Sequence, residues 1–258
     1  LKNHRFILSP LLTLSMVAML LSGCETNGKK RKGAAELPNA GAMGGQRPPF
    51  PASIGNRDSY SSVNTSLPFV ALTFDDGPHP VNTPRLLDML KARNVKATFY
   101  VVGSNAKRYP EILRRIIAEG HEIGNHTITH GNLSKMSEAQ VRKELTESHQ
   151  AILSATGVAP RTMRPPYGAI TKAQKTWIRS EFSYPSILWS VDPEDWKRPG
   201  SSVVASRLVS GAKPGGILLV HDIHAPTIDA IPSAVDQILQ KGLQFVTVTQ
   251  LIAMDGKG

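Results

Sequence analysis

Residues 69–80 read FVALTFDDGPHP, Phe69 to Pro80. Phe69 to Phe74 is a short apolar run with β-branched and aromatic members, the pattern of a buried strand. It ends in Asp75-Asp76-Gly77-Pro78. Neighbouring residues of a regular strand point to opposite faces, so both carboxylates reach one site only if the chain bends there. Gly77 and Pro78 supply such a bend. Two readings fit the stretch taken alone. One is a solvated Asp-Gly turn. The other is a pair of acids at a buried strand end, which needs a metal or a cationic partner and suits a division into ligand and base.

Beyond this run, strand and helix patterns alternate roughly seven times. Thr83-Pro84 reads as an N-cap followed by Pro at the first helical position, with Leu86, Leu87 and Leu90 as the apolar stripe. Ala97 to Val102 is the next strand, and Pro110 to Glu119 a helix stopped by Gly120. His121 to Gly124 is a short strand. Ser137 with Gln140 forms a capping box that opens a helix running to about Ala155. Further strands are expected at 161–164, 186–191, 216–221 and 243–246. Helices are expected at 172–179, 203–209, 228–240 and about 249–254. This alternation predicts an α/β fold with parallel strands. About seven units in roughly 190 residues suit a distorted or incomplete (β/α) barrel, with an open doubly wound sheet as the other arrangement. No glycine-rich phosphate loop follows the first strand, which argues against nucleotide binding.

The polar residues of interest fall at the C-terminal ends of these strands, which converge on one face of a parallel barrel. Asp75 and Asp76 follow the first strand. His126 and His130 follow the third. Arg164, with Tyr167 beyond it, follows the fourth. Asp192 and Asp195, with Trp196, follow the fifth, and Leu219, His221 and Asp222 close the sixth. His126 and His130 are four apart, but the Thr-Ile-Thr between them is poor helix material, so a loop is expected. Two His and one Asp make a chemically reasonable three-ligand metal set with a position left open. His79 and His224 lie beside these segments and read as rim residues. Tyr100, Trp177, Tyr184 and Trp189 read as core.

The segments Thr73-Phe74-Asp75-Asp76-Gly77, His126-Thr-Ile-Thr-His130, Arg164-Pro-Pro-Tyr167-Gly168, Asp192-Pro-Glu-Asp195-Trp196 and Leu219-Val-His221-Asp222 resemble the five ordered motifs of the polysaccharide deacetylases. That family is the NodB homology domain, or carbohydrate esterase family 4. The resemblance covers 67–258 and implies a metal-dependent N-deacetylase on a NodB-like barrel. By position, it implies Asp76, His126 and His130 as ligands of one divalent metal, usually zinc. Asp75 would be the general base, oriented by Arg164. The Tyr167 N–H would stabilise the oxyanion. His221 would be the general acid, supported by Asp195, and Trp196 and Leu219 would wall the acetyl pocket. An N-acetylated glycan is the implied partner, with peptidoglycan N-acetylglucosamine first. Chitooligosaccharide, poly-N-acetylglucosamine and acetylxylan are alternatives. A non-catalytic glycan-binding scaffold is the reading from another class.

The N-terminal part reads differently. Lys2 and Arg5 precede an uncharged, largely apolar run from Phe6 to Leu21, the pattern of a signal peptide over 1–23. Leu21-Ser22-Gly23-Cys24 resembles the lipobox of bacterial lipoproteins, which implies lipidation at Cys24 and an extracytoplasmic, membrane-anchored protein at the periplasmic or cell surface. Cys24 is the single cysteine of the 258-residue chain, so an internal disulfide is excluded. Residues 25–66, with Lys29-Lys30-Arg31-Lys32 and many Gly, Pro, Ser and Asn, read as a linker of root-mean-square span on the order of 35 Å. The net charge of +10 is concentrated towards this tail. The mildly basic remainder lacks aromatic-basic interleaving and argues against nucleic acid. A monomer is expected.

Overall fold

The computed structural model describes residues 54–257. Its elements are β1 (Ser59–Tyr60), β2 (Phe69–Asp75), α1 (Asn82–Ala92), β3 (Thr98–Val101), α2 (Gly103–Arg108), α3 (Pro110–Ala118), β4 (Glu122–Asn125), α4 (Glu138–Thr156), α5 (Lys172–Phe182), β5 (Ser186–Ile187), α6 (Ser201–Gly211), β6 (Ile217–His221), α7 (Ala225–Gln240), β7 (Gln244–Phe245) and α8 (Val248–Ile252). All pairings between these strands are parallel. The strands β4, β3, β2 and β6 lie side by side. Single parallel bridges complete the circuit, from Asn125 to Met163, from Met163 to Ser186, and from Val191 to Leu218. The sheet therefore closes on itself as a distorted (β/α) barrel, and the open doubly wound sheet is ruled out. The distortion lies between 161 and 191, where pairing is reduced to bridges and the two residues of β5.

Strand β2 shows why its sequence is apolar almost throughout. Val70, Leu72 and Phe74 join Leu86, Leu87 and Leu90 of α1 in the layer between barrel and helices. Ala71 points the other way, into a cluster with Tyr60, Tyr100, Ile187 and Ile217. By the two-residue period of a strand, Thr73 and Asp75 share that inner face with Ala71. Both faces are buried, as a central parallel strand requires. Helix α4 begins with the expected Ser137–Gln140 capping box and ends at Gly157, with φ 71°.

Three details differ from the sequence reading. The stretch 54–66, expected as linker, is folded in part: β1 pairs with β5, and Tyr60 and Val63 are buried. Thr83 does not cap α1. The helix starts at Asn82, and the ring nitrogen Nδ1 of His79 accepts from the Val81 and Asn82 amides at 3.2 and 3.1 Å. The Thr83 hydroxyl accepts from His79 N at 2.7 Å and donates to Asp222. Helix α2 was not anticipated. The signal-peptide and lipobox residues, Cys24 included, lie outside the described residues.

Candidate active site

The bend expected after β2 is a change of backbone hand. Asp75 is the last strand residue, and Asp76 has φ 74°. The left-handed residue breaks the strand alternation, so the adjacent carboxylates both line one cleft. Gly77 is required behind them, because a Cβ there would overlap the carboxylate of the buried Asp222.

Asp75 is 4% exposed and Arg164 fully buried. Arg164 Nη1 donates to Asp75 Oδ1 and to Thr73 Oγ1, both at 2.7 Å. Its other nitrogens donate to the Ile187 and Leu188 carbonyls at 3.2 Å. The guanidinium lies 4.2 Å from the centre of the Tyr100 ring. Five acceptor and π contacts thus fix the cation, and the cation fixes Asp75.

His126 and His130 come from the loop after β4, which is irregular as its composition predicts. Thr127 and His130 both have positive φ, 65° and 61°. Asn125 Oδ1 accepts from Thr127 N at 2.9 Å, and Thr127 Oγ1 accepts from His130 N at 3.0 Å. His126 Nδ1 lies 2.8 Å from the Arg164 carbonyl. A carbonyl only accepts, so Nδ1 carries the proton and Nε2 presents its lone pair to the cleft. Nε2 of His126 and of His130 lie 3.4 and 3.0 Å from Asp76 Oδ1. That buried oxygen makes no hydrogen bond among the described residues. The donor atoms of Asp76, His126 and His130 all lie within 4.8 Å of one another. One carboxylate and two imidazole nitrogens, converging without hydrogen bonds between them, fit a divalent metal.

Across the cleft, His221 ends β6. Its Nδ1 lies 2.8 Å from Asp195 Oδ1, and its own amide donates to Asp195 Oδ2 at 2.9 Å. The Thr227 hydroxyl donates to the same Oδ2 at 2.8 Å. Burial pulls the imidazole pKa down. The hydrogen bond and charge of Asp195, with Asp75 and Asp76 adding to them, outweigh burial and push it up to about 9. The protonated imidazole is thereby poised as a donor near neutral pH. Asp195 is 2% exposed, and this pairing keeps its pKa low despite burial.

The cleft has a volume of about 430 Å³, and Tyr167, Trp189, Asp192, Trp196, Leu219 and His224 complete its walls. Tyr167 and Trp196 are exposed, at 68% and 51%. Tyr167 is left-handed, with φ 60° and ψ 10°, a conformation that stores on the order of 1–3 kcal/mol in a non-glycine residue. Its ring packs edge-on against His130 at 4.8 Å. Every site residue expected from the sequence within 54–257 is therefore in or directly behind one cleft. One placement changes: Trp189, read as core, faces the cleft. His79, read as a rim residue, caps α1. Glu144 of α4, which holds the His126–His130 loop, was missed. It sits among charged residues of an amphipathic helix, and nothing in the sequence distinguishes it from its solvated neighbours.

Residues 62–182 match the family model described as polysaccharide deacetylase. The chain is 41% identical over 182 residues to the peptidoglycan-N-acetylglucosamine deacetylase PgdA of Listeria monocytogenes. The match covers 70% of this chain and 38% of that protein. It is 44% identical over 171 residues to a chitooligosaccharide deacetylase of Bradyrhizobium, covering 66% of this chain and 77% of that one. A solved structure of a T48 deacetylase with substrate superposes with a TM-score of 0.69 at 42% identity, over 72% of this chain and 91% of that chain. This chain thus spans about two fifths of the Listeria protein but most of the other two. With the acid pair, the two histidines and the Asp-supported imidazole placed as described, the chain belongs to the polysaccharide deacetylase family.

Proposed function

We propose that the protein hydrolyses N-acetyl groups from amino sugars of a cell-wall polysaccharide, with peptidoglycan N-acetylglucosamine as the first substrate and a zinc ion as the metal. The observation that carries this reading is the convergence, in one cleft, of a buried Asp–Arg pair, a three-donor cation site and a histidine kept protonated by a buried Asp. Asp76, His126 and His130 would hold the cation, which supplies Lewis acidity towards water and the acetyl carbonyl. Asp75 accepts the proton of the attacking water, with its carboxylate fixed by Arg164. His221 gives its proton to the departing sugar amine, so one water and one amide become acetate and amine. Asp195 orients that imidazole and stabilises its charged form. The Tyr167 N–H donates to the oxyanion as the carbonyl becomes tetrahedral, a contribution of typically a few kcal/mol. Leu219 and Trp196 would wall the pocket for the acetyl methyl.

The substrate choice rests on the Listeria relative's activity and on the expected anchor. A signal peptide over 1–23, lipidation at Cys24 and a tether beyond it would place the catalytic domain outside the cytoplasm and within reach of wall polymer, as a monomer. The test is acetate release by the full chain from purified peptidoglycan and from chitooligosaccharides, with chelator and with zinc added back. Chelator-sensitive release from peptidoglycan is expected. Release mainly from chitooligosaccharides would keep the chemistry and replace the substrate. Glycan binding without any release would overturn the catalytic reading.

A further inference from the structure

The His126–His130 loop carries two of the three metal-donor side chains, yet two of its five residues are left-handed. A β-branched residue such as Thr127 enters that region only under outside constraint. Next to it, the Ile128 and Thr129 amides both donate to Glu144 Oε2, at 3.0 and 2.9 Å, and the Thr129 hydroxyl donates to Oε1 at 2.7 Å. Glu144 is 8% exposed and makes no ion pair with Lys or Arg among the described residues. Its carboxylate oxygens are thus committed to this loop. Helix α4, which carries it, packs by Val141 and Leu145 into a separate apolar cluster with Met163 and Phe182. Asn125 ties the same loop to α4 a second time, by donating to the Leu145 carbonyl at 2.9 Å.

We propose that Glu144 is a positioning residue that sets metal affinity: it holds the 126–130 loop in its left-handed path and so fixes the separation of the two imidazoles before metal arrives. The inference rests on the metal reading above. Its currency is hydrogen-bond geometry and not charge. A glutamine at 144 has an oxygen to accept both amides and an NH₂ to donate to the Thr129 oxygen, whose own proton is free to turn. An alanine leaves two amides and the Thr129 hydroxyl without their acceptor, while the loop keeps its bonds to Asn125, Arg164, Gly103 and Ser104.

The test is the zinc dissociation constant of the full chain, measured by competition with a chromogenic zinc chelator, beside thermal melting in excess chelator. Glu144→Ala is expected to bind zinc about 10–100-fold more weakly, and Glu144→Gln within about threefold of the parent. Thr129→Val, which removes one of the three bonds, should fall between them, and it decides the matter if Glu144→Ala does not fold. A purely structural Glu144 predicts a lowered melting temperature with zinc affinity unchanged in the folded variant, and that result would overturn the proposal. So would Glu144→Gln as weak as Glu144→Ala, which would assign the effect to charge. A parent protein that binds no zinc would remove the metal reading and this inference with it.

Discussion

Replacing Arg164 by Met removes a cation that is fully buried and bonded to Asp75, Thr73 and two carbonyls. The methionine fills much of the volume, so the chief loss is electrostatic. Asp75, 4% exposed, is left with no cation at hydrogen-bond distance. Breaking a buried pair from one side typically costs about 3–5 kcal/mol. For a domain of this size, each kcal/mol lowers the melting temperature by about 2–4 °C. The variant should therefore melt roughly 6–20 °C below the parent. Melting is followed in excess chelator, so that metal loss does not contribute. Asp75→Asn alone strands the guanidinium and should cost a similar amount. The double variant strands neither charge, so its loss should fall short of the sum of the singles by more than about 1 kcal/mol. Additive losses, within about 0.5 kcal/mol, would refute the claim that the two groups stabilise each other.

Further expectations concern pH, packing and metal. His221 must be protonated to act as acid, so activity falls as pH rises through its pKa, raised to about 9 largely by Asp195. Asp195→Asn should move the alkaline limb of the kcat/KM profile to lower pH by about one to three units, and an unmoved limb would count against His221 as the donor. By the same linkage, the stability His221 gains from Asp195 is complete below its ordinary pKa of 6.5 and is lost as pH rises through about 9, which pH-dependent melting of the parent and Asp195→Asn reads directly. Gly77→Ala drives a methyl group into the Asp222 carboxylate and should destabilise by about 1–3 kcal/mol while weakening zinc binding. Unchanged values for both would show that the loop has slack. His130→Ala removes one of three donors and should leave zinc bound so weakly that a modest chelator strips it, as followed by metal content after dialysis.

Much of this architecture was legible because it is local. The unbroken apolar run of β2 required burial on both faces, and the structure supplies helices on one side and the barrel interior on the other. The Ser137–Gln140 box fixed the start of α4 for the same reason. The positions of the site residues were legible through the ordered motifs, three of them at the ends of β2, β4 and β6 and two after the bridged segments around β5. What stayed hidden depends on contacts distant in sequence. β1 is two residues long with only Tyr60 buried, and it shows no strand pattern until β5 is beside it. Thr83 looked like a helix cap, but its hydroxyl is taken by Asp222, 139 residues away. Glu144 differs from the other acids of α4 only by facing a loop 15 or 16 residues upstream. Trp189 is apolar enough for a core, and only the distortion of the barrel near β5 turns it to the cleft.

The central claim is that two adjacent carboxylates have separate work, Asp76 as metal donor and Asp75 as base. The most direct measurement is zinc per chain in Asp75→Asn and Asp76→Asn, taken on the same samples used for acetate release. Separate roles predict that Asp75→Asn keeps about one zinc per chain and releases no acetate, while Asp76→Asn loses its zinc and its activity together. Loss of zinc from both variants alike, or acetate release by the zinc-loaded Asp75→Asn protein, would contradict it.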